Sequence, residues 1–325
     1  MRRRHLLQAA ALGAWPALVP DARAATYPSK PVQIVVPFPP GGTNDLLARM
    51  VAQSLAEGMS GNFVVDNRAG GAAGSVGAQA VAAAKPDGYT LLLGNTASLA
   101  INQSVYPNLR YDPQRDFEPI SVVGGSSLVL VINSTVPARN VAEFVRLLRA
   151  APGQYSYASA GAGSPLHLAG ELFKYRTGTE MLHVPYRGTA PAYSDLLSGR
   201  ISAMFDNTTT AVQHTRAGTI RALAVTGARR SALFPQVPTL GEEGFKDIEV
   251  LVWFGLVAPK STDGAIINKL SRAVAAIAKG EEPRRQLLAF DIEPWGSTPD
   301  EMRRFMASES AKWKAVVQRS NILIE

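Results

Sequence analysis

The chain of 325 residues contains no cysteine. That absence removes disulfide staples, thiolate metal sites and cysteine nucleophiles together. Charge is sparse as well: Asp, Glu, Lys and Arg make up 18% of the residues, and aromatics 7%. With 46% hydrophobic residues the composition is that of a folded protein, not a disordered one. Beyond residue 25 no apolar run reaches the roughly eighteen residues that a membrane-spanning helix needs. Neither a G-x-x-x-x-G-K-S/T nor a G-x-G-x-x-G phosphate loop occurs, and there is no H-E-x-x-H metal motif. What remains is a soluble α/β protein, too long for one small core.

What is present begins with an export signal. Arg2, Arg3 and Arg4 precede the short apolar stretch from Leu6 to Val19, and Ala22-Arg23-Ala24 offers small residues to a signal peptidase. Pro16 and Pro20 argue against a buried helix here. Residues 1–24 therefore read as a signal peptide, of the general or the twin-arginine type. The segment holds four of the 33 basic and one of the 26 acidic residues, so its removal lowers the net charge from +7 to +4. A mild excess without a Lys/Arg cluster is no nucleic-acid footprint.

The mature chain alternates strand and helix patterns, which predicts α/β layers. A β-branched run at Gln33–Phe38 leads to Pro39-Pro40-Gly41-Gly42, then a helix from Thr43 or Asn44 with Leu47, Met50, Val51 and Leu55 on one face. Two long extended runs, near 120–132 and 249–257, bracket a compact α/β block. This predicts two lobes joined by two crossings: 25–125, 126–249 and, returning to the first lobe, 250–325. In the final helix, Pro299–Gln318, an apolar stripe of Met302, Phe305, Met306, Trp313 and Val316 is broken by Glu309. Glu309 is expected to mark where that face reaches solvent.

Three loops leave strand carboxyl ends with glycine and small hydroxyl residues: Pro39–Asn44, Asn67–Ser75 and Ser159–Ser164. Ligands of open α/β sheets bind at such ends. Glycine lets backbone N–H groups come close, and a following helix turns its positive end to an anion. A carboxylate or phosphate is the natural guest, unless these loops only turn the chain. The histidines His167, His183 and His214 lack metal spacing and read as helix-end or turn residues. Ser164 and His167 share a first helical turn and make a poor nucleophile–base pair; no G-x-S-x-G elbow exists. Asp206 ends an apolar strand, and it either meets a ligand donor or caps the helix after it. Arg187, which follows the strand Met181–Pro185, is either a carboxylate clamp or a surface ion-pair partner.

Several motifs then coincide: Pro37-Phe38-Pro39-Pro40-Gly41-Gly42-Thr43-Asn44-Asp45, Asn67-Arg68-Ala69-Gly70-Gly71, Pro86-Asp87-Gly88-Tyr89-Thr90 and His183-Val184-Pro185-Tyr186-Arg187-Gly188. With Pro191-Ala192, Asp195-Leu196-Leu197-Ser198-Gly199 and Val237-Pro238-Thr239-Leu240, they resemble the Bug/TctC family, the extracytoplasmic receptors of tripartite tricarboxylate transporters. The matches run in order from about residue 30 to 260. The resemblance implies a two-lobe periplasmic binding fold (type II-like) that closes on a small carboxylate and serves an integral-membrane permease. It implies anchoring by backbone amides and hydroxyls of Phe38, Gly41, Gly42, Thr43 and Asn44 in one lobe. In the other lobe the anchors are Ser159, Ala160, Gly161, Gly163 and Ser164, with Asp206 at the ligand's distal part. Gly71 and Thr96 line the same cleft, and His167 braces the second loop. The protein is then expected to be a periplasmic monomer without cofactor, metal or catalytic residue. The competing classes are an exported enzyme acting on a small carboxylate and the ligand-binding component of a sensor.

Overall fold

The computed structural model describes residues 27–186, 188–320 and 322, so the expected signal segment 1–24 and Arg187 lie outside the described residues. Strand β1 (Val32–Val36) is mostly buried and pairs in parallel with β2 (Phe63–Asn67). Between them α1 (Thr43–Met59) buries Leu47, Val51 and Leu55, as their spacing predicts. Helix α2 (Ser75–Ala82) leads to β3 (Thr90–Asn95), which is parallel to β1. A π-helical turn, Ala97–Ile101, and the short α3 (Asn102–Val105) precede the 17-residue strand β4 (Phe117–Asn133).

The middle block follows: α4 (Val141–Ala150), β5 (Ser156–Ser159), α5 (Pro165–Thr177), β6 (Leu182–Pro185), α6 (Thr189–Leu197), β7 (Ala203–Asn207), α7 (Thr208–Thr215) and β8 (Ile220–Val225). The chain returns through β9 (Leu251–Pro259). It ends with α8 (Gly264–Lys279), α9 (Glu281–Ala289), the two-residue β10 (Glu293–Pro294) and α10 (Pro299–Arg319). Among the described residues no helix is long and apolar enough to cross a membrane.

Strand β4 serves two sheets. Its first half pairs antiparallel with β9, and the sheet continues through β3 and β1 to β2. Its second half pairs antiparallel with β7 and β8, and β7 continues in parallel to β5 and β6. The register decides where the strand ends go. Asn95, at the end of β3, lies opposite Phe254, which lies opposite Gly124. Asn207, at the end of β7, lies opposite Leu128. Since β3 runs with β4 and β7 runs against it, both sets of carboxyl ends converge on residues 124–128 from opposite sides. At about 3.3 Å per residue, four residues put roughly 13 Å between them.

The last helix ties this frame together. Thr298 and Glu301 form a capping box at its start, and Met302, Met306, Trp313 and Val316 are buried. The expectation for Glu309 is overturned: it is 6% exposed. Its Oε2 accepts from the indole N–H groups of Trp253 and Trp313, both at 3.1 Å, and Lys312 pairs with its other oxygen. The polar interruption of the stripe is thus the acceptor that two buried tryptophans require. Glu309→Leu leaves both indoles without a partner and should destabilise the protein by about 2–5 kcal/mol. Glu309→Gln keeps an oxygen in place and should cost less than half as much. Urea unfolding midpoints of the two variants check this, and equal losses would contradict it.

Candidate functional site

The turn after β1 is set by Gly41, whose φ of +85° suits glycine. Its N–H donates to Asp45 Oδ2 at 2.9 Å, and Arg49 pairs with the same carboxylate. Burial works to raise the Asp45 carboxyl, but Arg49 and the Gly41 amide outweigh it and hold it below the usual range. The Gly41 amide is therefore taken. The amides of Gly42, Thr43 and Asn44, at the start of α1, meet no acceptor among the described residues. Asn44 is 8% exposed; its Oδ1 accepts from Asn95 Nδ2 at 3.2 Å, while its own Nδ2 has no partner. Helix start and side chain together offer donors where β1 and β3 end.

The facing loop follows β5. Ser159 is fully buried, and its Oγ lies 2.7 Å from His183 Nε2 and bonds both the carbonyl and the amide of Gly161. Ser164 caps α5: its Oγ accepts from the His167 amide and donates to Gly161 O. The Gly163 N–H donates to His167 Nδ1 at 3.0 Å, so this imidazole is neutral with its proton on Nε2. These contacts leave the amides of Ala160 and Ala162 without acceptors among the described residues. Of the expected anchors in this loop, the amide of Ala160 is open, whereas those of Gly161 and Gly163 are taken up within the loop and by His167.

Below the loop lies an aromatic stack. The rings of His167 and His183 stand 3.7 Å apart at 10°, with Tyr157 tilted against His183 at 4.9 Å. Helix α5 rests directly on Tyr157: a Cβ at Gly170 would come within 2.2 Å of that ring. Tyr157 donates to Glu171 Oε1 at 2.6 Å, and Lys174 pairs with the same oxygen. Burial pushes His167 down to about 4, and burial together with its stacked neighbour pushes His183 down to about 3. His167 braces the loop as expected. His183 is on strand β6, not at a helix end or turn.

Asp206 is the last residue but one of β7 and is fully buried. It does not cap α7, whose N-cap is Asn207. Its Oδ2 accepts from the Tyr193 hydroxyl at 2.8 Å, while Oδ1 has no hydrogen-bond partner among the described residues. Burial raises this carboxyl to about 7. Thr96 is fully buried; its Oγ1 accepts from Trp253 N at 2.8 Å and lies within reach of the Leu251 and Trp253 carbonyls. Thr96 thus joins β3 to β9 at the crossing instead of presenting its hydroxyl to a ligand. Thr226, missed from sequence, does the same on the other side, between Leu128 and Val250. Thr226 was missed because its partner Leu128 is 98 residues away, and Tyr193 because its contact with Asp206, 13 residues on, has no periodic signature. Phe38 is half-buried at the first loop and Gly71 is exposed beside α2. A cleft of about 930 Å³ between residues 103–116 and α10 is lined by none of these residues. Among the described residues no cluster has the makings of a metal site.

Residues 47–322 match the model of the tripartite tricarboxylate transporter family receptor. The chain belongs to this family. BugT of Bordetella pertussis is 39% identical over 298 residues, 91% of each chain. An R. palustris structure with adipate is 36% identical at a TM-score of 0.79, covering 92% of this receptor and 100% of that chain. MatC from Rhodopseudomonas palustris, with bound malate, is 29% identical at a TM-score of 0.74, covering 90% and 100%. The receptor has the two-lobe α/β fold of periplasmic solute-binding proteins.

The stacked imidazoles give the receptor a pH signature. Unfolded histidines take up protons near pH 6.5 while the folded pair stays neutral to about 4 and about 3. Stability therefore falls as pH drops from about 6.5 toward 4, by up to about 1.4 kcal/mol per pH unit for each imidazole. Asp206, with its raised folded value, works in the opposite sense between about 4 and 7. His167→Asn keeps an acceptor for Gly163 without titrating, and should flatten the acid-side loss relative to the parent. Denaturant unfolding at pH 4.5, 5.5 and 6.5 checks this; an unchanged slope contradicts it.

Proposed function

We propose that the protein is a periplasmic receptor that captures a small organic carboxylate between its two lobes and presents it to integral-membrane permease subunits. The supporting observation is the convergence of two sets of unpaired backbone donors on residues 124–128. Gly42, Thr43 and Asn44 come from one side, Ala160 and Ala162 from the other. On this reading residues 25–125 and 250–325 form one lobe and 126–249 the other, after loss of the exported segment 1–24. The carboxylates of the adipate- and malate-bound relatives are ligands of the same chemical class.

Each charge-assisted hydrogen bond contributes about 1.5–3 kcal/mol. Four of them at the upper end give about 12 kcal/mol, and about 4 kcal/mol of association and ordering cost leaves about −8 kcal/mol, a micromolar affinity. Closure by hinge motion then gives a permease a distinct shape to recognise. An enzyme would need a working nucleophile or an acid–base pair. Ser159 and His183 are in contact, but Ser159 is tied to Gly161 and no carboxylate accepts from His183 among the described residues. Asp206 is shifted toward neutrality, but among the described residues the side chain bonded to it is the Tyr193 hydroxyl, which is no acid–base partner.

Thermal melting against a panel of small acids and their amides tests the receptor. A ligand at about 1 mM with micromolar affinity should stabilise by about 4 kcal/mol, and the amide of its anchoring carboxylate should not. The ligand should be recovered unchanged; a converted product would favour the enzyme. Gly42→Pro removes one donor at a position where φ is already −83°. It should weaken binding about 10- to 100-fold with little change in melting temperature. Isothermal titration of the variant checks this, and undiminished affinity would exclude the Gly42 amide.

A further inference from the structure

Helix α9 ends in a Schellman cap: the amide of Asp291 donates to Leu288 O at 3.0 Å and that of Ile292 to Leu287 O at 2.9 Å. Asp291 takes the left-handed position of this cap, with φ at +54°. Glycine is the usual residue there, because it meets no steric penalty. The aspartate side chain is therefore not what ends the helix.

That side chain is bonded elsewhere. Its Oδ2 accepts from the Thr208 hydroxyl and, at 2.8 Å, from Ser231 Oγ. Thr208 is fully buried, Ser231 is nearly so, and the Leu233 amide fixes the serine by donating to its Oγ at 3.1 Å. Thr208 is the first residue of α7, whose N-cap Asn207 makes no side-chain capping bond. A carboxylate from a distant part of the chain thus sits at the positive end of α7.

The partners lie on opposite sides of the crossing. Asp291 comes two residues before Glu293, which pairs with Gly125 in the half of β4 that continues to β9, β3 and β1. Thr208 and Ser231 follow β7 and β8, which pair with the second half of β4. Thr208 stands at the carboxyl end of β7, on the edge that the strand ends of the other half approach. A bond across that gap lengthens as the two parts swing away from each other. Beside it Arg229 and Glu293 also meet across the gap, but at 3.8 Å and with side chains 85% and 53% exposed they hold little.

We propose that Asp291 is a positioning residue for closure of the cleft, its carboxylate latching the end of α9 to the start of α7 while the lobes are together and letting go as they part. The arrangement described above is the latched one. Among the described residues Asp291 is bonded to none of the anchoring amides, so it acts through the angle between the lobes. The inference goes beyond the receptor function and rests on the lobe division stated with it, in which Asp291 belongs to 250–325 and Thr208 and Ser231 to 126–249. Two hydrogen bonds to a charged acceptor, made in one arrangement and exchanged for water in the other, bias the closing equilibrium by at least about tenfold.

Double electron–electron resonance on the mature protein reads that angle. The chain has no cysteine, so Gln53→Cys in α1 and Ser194→Cys in α6, exposed positions in the two lobes, carry the only spin labels. Asp291→Gly keeps the cap and removes the carboxylate. Thr208→Val with Ser231→Ala removes the donors and keeps Asp291. Without added acid, both should move the label distance to longer values, while Asp291→Asn, which keeps an acceptor oxygen, stays closer to the parent. A merely structural role would lower the melting temperature and leave the distance alone. An unchanged or shorter distance in either folded variant overturns the proposal. Adipate and malate are titrated alongside: an acid that binds the parent should bind Asp291→Gly about tenfold more weakly and leave it faster. Equal affinity also overturns the latch. Failure of every acid to bind the parent would overturn the receptor function, while the label distances still decide this proposal.

Discussion

One strand belongs to both sheets, and that constraint sets the geometry of everything else. Strand β4 is antiparallel to β9 along its first half and to β7 and β8 along its second. Parallel strands on either side must then aim their carboxyl ends at the same few residues of β4. Helices and loops that leave those ends carry unpaired N–H groups by the nature of a helix start. The cleft is in this sense a consequence of topology. Thr96 and Thr226 each tie a strand to the returning chain by hydroxyl bonds.

The two loops are supported in different ways. The first is held by charge: Gly41 leans on Asp45, and Asp45 on Arg49. The second is held by neutral groups, through the Gly163 amide on His167 and the contact of Ser159 with His183. Both devices consume some amides and thereby leave others aimed outward. An acceptor that is neutral at working pH does not compete electrostatically with an incoming anion.

Much of this was legible in the sequence for definite reasons. Gly41-Gly42 after a β-branched run and Ser164-Pro165 before a helical one are local signals, and turns and caps are local chemistry. The alternation of strands and helices gave the α/β class by the same logic. Glu309 was misjudged because its two partners include Trp253, 56 residues away, and periodicity cannot distinguish a solvated acid from a buried acceptor. Thr96 was placed at the cleft by the family resemblance alone, and its hydroxyl is bonded across to β9. Which amides of the second loop remain open depends on His167 and His183, and the stacking of two histidines 16 residues apart has no periodic signature.

The central claim is that one anion is shared by both lobes. Amide NMR of the isotopically labelled mature protein, titrated with the acid that stabilises it most, addresses this directly. The amide signals of Gly42, Thr43 and Asn44 should shift together with those of Ala160 and Ala162, all following a single dissociation constant. Shifts confined to one loop, or centred instead on the cleft between residues 103–116 and α10, would contradict the account.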